Sequence, residues 1–250
     1  MRAPRALIAM ALVAASLAAS AQDPAMRLEA LTERIAKLHA QVGQGVLAER
    51  SKRALPEAVR EFDGALREVK ARPAGPEVQD NYLLLGLLWT EYRAWALKPA
   101  TRDNAKKLAE RAEEVAWVAG KGARLVHGTG RKGTGLLALE AAHAATLSQR
   151  LARLYLMRRW EVKAESSERA APAVETALQR ALERLRGAPQ NTPEIDTELQ
   201  AAQGQLGFLL QAGRELDSRR GDMRSLEFAA KSADHLLESM QRVVRLYEGT

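Results

Sequence analysis

Apolar residues in this chain return at steps of three and four, and the pattern is laid down twice. Leu28, Leu31, Ile35, Leu38 and Val42 follow one another at that spacing. A period near 3.6 places such residues on one face of an α-helix, and no strand could align them. Leu147, Leu151, Leu154 and Arg158 stand 116 positions after Leu31, Ile35, Leu38 and Val42. The flanking polar residues echo too, with Leu31-Thr32-Glu33-Arg34-Ile35 answered by Leu147-Ser148-Gln149-Arg150-Leu151. A duplicated helical module is the strongest constraint on the fold.

The remaining helices extend the duplication. Leu55, Val59, Phe62, Leu66 and Val69 define a second stripe, and Ala171, Leu178, Leu182 and Leu185 match Leu55, Phe62, Leu66 and Val69 at the same offset. Val78, Tyr82, Leu85, Trp89 and Tyr92 define a third, matched at 117 by Ile195, Leu199, Ala202, Leu206 and Leu209. Ala105, Leu108, Ala112, Val115 and Ala119 define a fourth, matched at 121 by Leu226, Ala229, Ala233, Leu236 and Met240. The offset changes only across connections, where insertions are tolerated. Asp23-Pro24 reads as a helix start, Gly43-Gln44-Gly45 as a weakening of the first helix, and the run from Ala71 to Pro76 and Lys98-Pro99 as stops. The expected fold is all-α, with tandem up-down four-helix bundles or one elongated helical array. Residues 22–128 form the first module and 129–250 the second. Gly128-Thr129-Gly130-Arg131-Lys132-Gly133-Thr134-Gly135 marks the boundary. It is a poor phosphate loop, because Thr134 rather than lysine follows Gly133 and no strand precedes it.

Residues 1–21 read as a signal peptide. Arg2 and Arg5 precede an uncharged apolar run from Ala6 to Ala19, and Ala19-Ser20-Ala21 supplies small residues for cleavage. The run is shorter than the roughly 20 residues that span a bilayer. The expected location is the periplasm after cleavage at Ala21, with an inner-membrane anchor through an uncleaved N-terminus as the alternative. Cysteine is absent, so disulfides and thiolate chemistry are excluded. Without Arg2 and Arg5 the net charge of +7 falls to +5. Acids and bases alternate along the helices, and no basic block with interleaved aromatics is present, so no nucleic-acid partner is expected.

Arg34 and Arg150 occupy equivalent positions on the two first helices. Arg27 and His143 stand seven residues before them, about 10 Å along the same face. Guanidinium groups held beside a helical core suit planar oxyanions, because their donors fit bidentately. Arg34, Arg150, Arg27 and His143 are therefore the candidate anion-binding residues, weighed against simple snorkelling into water. His39, His127, His143 and His235 contain no i,i+4 pair, so neither a metal site nor a cofactor is expected. Ser148 lacks an arranged base, and no carboxylates form an acid–base motif. Trp89 belongs to a core stripe, and packing is the expected role of most of the tryptophans.

The nonapeptide Leu147-Ser148-Gln149-Arg150-Leu151-Ala152-Arg153-Leu154-Tyr155 resembles the hallmark of the PilJ-like or NarX-like N-terminal sensory domain. That family occurs in type IV pilus chemoreceptors and nitrate/nitrite sensor kinases. Asn191-Thr192-Pro193-Glu194-Ile195 and the helix from Leu236 to Glu248 resemble it loosely, and Leu31 to Leu38 more faintly. The resemblance implies an extracytoplasmic helical sensory bundle. The second arginine of the family's cationic run, implied to hold the anion, falls on Ala145 and Glu29. Its distal arginine falls on Arg150 and Arg34.

The expected function is thus a periplasmic, non-enzymatic sensory protein. It would bind a small oxyanion resembling nitrate or nitrite, relay to a membrane-bound signalling partner, and be able to form a homodimer. The alternative is a structural or protein-interaction module without a ligand.

Overall fold

The protein is described here by a computed structural model covering residues 22–127, 133–162, 170–218 and 222–249. The signal peptide expected over residues 1–21 lies outside the described residues, as do residues 128–132 of the glycine-rich boundary. Eight helices are described: α1 (Pro24–Gln44), α2 (Ala48–Ala71), α3 (Pro76–Ala96), α4 (Arg102–His127), α5 (Thr134–Arg159), α6 (Ala170–Arg186), α7 (Pro193–Asp217) and α8 (Met223–Glu248). The described residues contain no strand. The fold is all-α, as the periodicity requires.

The helix ends follow local chemistry. Asp23 caps α1 by accepting from the Ala25 amide at 2.8 Å, with Pro24 beginning the helix. Gly45 ends α1 in the left-handed conformation at φ 72°, where a side chain would be strained. Pro76 and Pro193 open α3 and α7. The Thr192 hydroxyl accepts from the Ile195 amide.

In the first group α1 packs on α2 and α4, and α3 packs on α4 and more lightly on α2. The second group repeats this, with α5 on α6 and α8, and α7 on α8 and more lightly on α6. Each ring of four encloses its own apolar core. In the first, Phe62 and Trp89 stack at 3.8 Å between ring centroids. Burying the stripes supplies the main driving force, at roughly 25 cal/mol for each Å² of apolar surface withdrawn from water.

The two rings meet along α1 and α5. These helices run parallel, because contacts climb both together. Glu29 meets His143, the Gln44 amide donates to the Leu156 carbonyl at 3.1 Å, and Gly43 lies against the Trp160 ring. Near the C-terminal ends of α1 and α5, a third apolar cluster joins Ala40, Val46, Ala105 and Ala109 to Leu156, Val162, Leu226 and Ala230. Each member of the first set corresponds to one of the second at the duplication offsets. A contact whose two sides are the same surface is the mark of a two-fold relation.

Candidate functional site

Helices flanked on both sides bury more than one stripe, so α1 and α5 carry polar groups into the interior. Glu33, Lys37, Gln149 and Arg153 are all fully buried. Charges in such a place must be paired. The Arg153 guanidinium donates to Glu33 at 2.7 Å and to Glu113 of α4 at 3.0 Å, and Arg150 donates to the other Glu113 oxygen. Burial opposes the Arg153 charge, but the two carboxylates outweigh it and raise its pKa. Burial pushes the Glu33 carboxyl up, and Arg153 and Arg150 offset this only in part.

The same bridge is built in reverse on the other side. Lys37 of α1 donates to Asp234 of α8, which also accepts from Arg50 at 3.4 Å. Lys37 corresponds to Arg153, and Asp234 to Glu113, at the duplication offsets. Each first helix thus sends a cation across the interface to the last helix of the opposite ring. Burial alone would raise the Asp234 pKa, but Lys37 outweighs it and holds the carboxyl below its ordinary range.

On the Arg153 side the interface opens into a cleft. Two contiguous hollows of about 420 and 500 Å³ lie between α1, α4 and α5 and share Glu29, Arg124 and His143. Glu33, Glu113, Arg150 and Leu147 line the deeper part. Gly120 leaves room for the Glu29 carboxylate, since a Cβ there would meet its oxygen at 2.8 Å. Trp117 stands at the rim, 64% exposed. It departs from the packing role expected of most tryptophans.

The four candidate residues divide between two places. Arg27 and Arg34 both pair with Glu61 of α2, at 3.4 and 3.6 Å. His143 and Arg150 line the cleft, where His143 lies 3.6 Å from Glu29 and Arg150 pairs with Glu113. The Glu29 carboxylate beside it raises the His143 pKa against partial desolvation. All four cations therefore already face carboxylates. Arg153, Glu33, Lys37, Glu113 and Asp234 were missed by spacing within single helices. The available signal was the retention of cations at 37 and 153, and of acids at 113 and 234, under the duplication.

Two residues that line the cleft carry a buried polar atom without a hydrogen-bond partner, Glu33 Oε1 and Arg150 Nε. One accepts and one donates, so a molecule offering both kinds of group would satisfy them. Among the described residues no cluster of His, Cys, Asp and Glu suits a metal ion, and no helix is long and apolar enough to cross a membrane. No family model matches the chain, and neither does any curated protein or solved structure.

Proposed function

We propose that this protein is an exported, non-enzymatic binding protein of sensory type, with its ligand site in the cleft between α1, α4 and α5. The observation that carries the reading is the cleft itself. It is of ligand size, it lies against the interface between the two rings, and its floor holds buried polar atoms without partners. A ligand there touches α1 of one ring and α5 of the other, so binding would couple to how the rings sit together. That is the arrangement a relay to a membrane-bound partner needs. The sequence resemblance to PilJ-like and NarX-like sensory domains supports the same class. An oxyanion entering the cleft would compete with Glu113 for Arg150 and with Glu29 for His143.

A second reading is a protein-interaction module without a ligand. It is favoured by the outer face of α3, where Leu83, Leu84 and Leu87 are exposed. A thermal-shift screen of the exported protein separates the two. The panel holds nitrate, nitrite, sulfate, small carboxylates, amines and free amino acids at millimolar concentration. Stabilisation by any one compound, abolished by filling the cleft with Leu147→Trp, supports the binding protein. A flat panel refutes it and leaves the interaction module.

A further inference from the structure

We propose that the cleft takes a free amino acid, held as a zwitterion, with its ammonium on Glu33 and Glu29 and its carboxylate toward Arg150 and Arg124. This rests on the ligand-binding reading above and names the ligand class for that site.

Charges of both signs line the cleft. Glu33 and Glu113 face Arg150 and Arg153, and Glu29 faces His143. Glu114 and Glu140 also line the cleft, where Arg124, Arg150 and His143 are the cations, so charge of both signs is present with acids in excess, and a net anion is repelled by the larger share. A ligand with both charges a few ångströms apart gains from both.

The lining also holds polar atoms without partners. Glu33 Oε1 is fully buried on the cleft wall and needs a donor, which an ammonium supplies. Arg150 Nε needs an acceptor, which a carboxylate supplies. Arg124 makes no ion pair among the described residues and lies at the shallow end, where both hollows meet. Ala116, Leu147 and the exposed Trp117 ring give the remaining wall an apolar character suited to a side chain.

The duplicated half differs at the corresponding positions. Gln149 stands at the position equivalent to Glu33, and its amide donates to the Ala233 carbonyl at 2.7 Å. Ala145 stands at the position equivalent to Glu29. The Lys37 side of the interface is therefore built without these two carboxylates. They are present on the Arg153 side, where the cleft opens, which points to a role beyond holding the rings together.

Titration calorimetry on the exported protein tests this with matched probes. Valine is compared with isobutylamine, isovalerate and nitrate, and the other amino acids follow. The expected result is measurable binding of at least one amino acid, with no binding by the matched amine or carboxylate alone. Glu33→Gln keeps the shape and should weaken that binding about tenfold or more, since it removes a buried charged acceptor. Trp117→Ala, at an exposed position, should weaken it without lowering the melting temperature. Amino-acid binding unaffected by Glu33→Gln and Trp117→Ala overturns the proposal. Binding of nitrate without any amino acid also overturns it and leaves the function standing, whereas no binding by any probe removes both.

Discussion

Removing the Arg153 guanidinium should cost more than any other single change at the interface. Arg153 is fully buried and bonded to two carboxylates. Arg153→Met keeps most of the volume and removes the charge. Glu113 retains Arg150, but Glu33 is left fully buried with neither oxygen paired. Breaking a buried pair from one side costs about 3–5 kcal/mol. For a chain of this size that corresponds to a melting temperature lower by roughly 6–20 °C. The stranded carboxyl should hold a proton, so its folded pKa rises above the unfolded value. Such a group destabilises the fold increasingly as pH rises from near its ordinary 4.5, and the deficit is largest above the folded pKa. The deficit should therefore shrink in acid. Adding Glu33→Gln removes the stranded charge and should recover about 1–3 kcal/mol. Urea unfolding of the two single variants and the double variant across pH measures all of this. A loss below about 1 kcal/mol for Arg153→Met, or no recovery in the double variant, would refute the buried bridge.

Other expectations follow from particular contacts. Gly43→Ala drives a methyl into the Trp160 ring and to 2.7 Å from the Ala100 carbonyl, so thermal melts should show a loss of about 1–3 kcal/mol, partly relieved by Trp160→Leu. Asp23→Ala removes the α1 cap and its bonds to Arg72 and His127, costing about 1 kcal/mol at neutral pH. Burial tends to raise the Asp23 pKa, but the neighbouring His127 and the hydrogen bonds from Arg72 and Ala25 hold it far below the ordinary 3.8. Its contribution is present above that value and is lost as pH falls through the depressed pKa, so the two stability curves should converge in strong acid. His143, raised by Glu29, should titrate above 6.5 by NMR and fall back toward it in Glu29→Gln. Its contribution is complete below 6.5 and is lost as pH rises through the folded value. Arg27→Ala and Arg34→Ala break half-exposed pairs with Glu61 and should each cost less than about 1 kcal/mol in the same melts.

Much of the fold was legible in the chain. The eight helices fall where the stripes place them, and residues such as Phe62, Leu85, Leu182 and Met240 are fully buried. Helix periodicity reports one buried face well. It reports poorly on a helix buried from two sides, because the second face carries paired charges that look like a solvated surface. Lys37, Glu33 and Arg153 were hidden in this way. The candidate residues Arg34 and Arg150 sit at the edge of the stripe, where spacing could find them. Spacing could not show that each faces a carboxylate from another helix, since Glu61 and Glu113 are brought there only by the packing of rings. Arg150 and His143 do line the cleft, whereas Arg27 and Arg34 lie together on the α2 side.

The proposed ligand site is open to one direct measurement. With fluorinated tryptophan incorporated, Trp89, Trp95, Trp117 and Trp160 each give a fluorine NMR signal. Trp117 lines the cleft, while Trp89 is buried against Phe62 in the first core. Adding a saturating amount of a binding amino acid should move the Trp117 signal and leave Trp89 in place. Binding that leaves Trp117 unmoved while another tryptophan shifts would contradict a site between α1, α4 and α5.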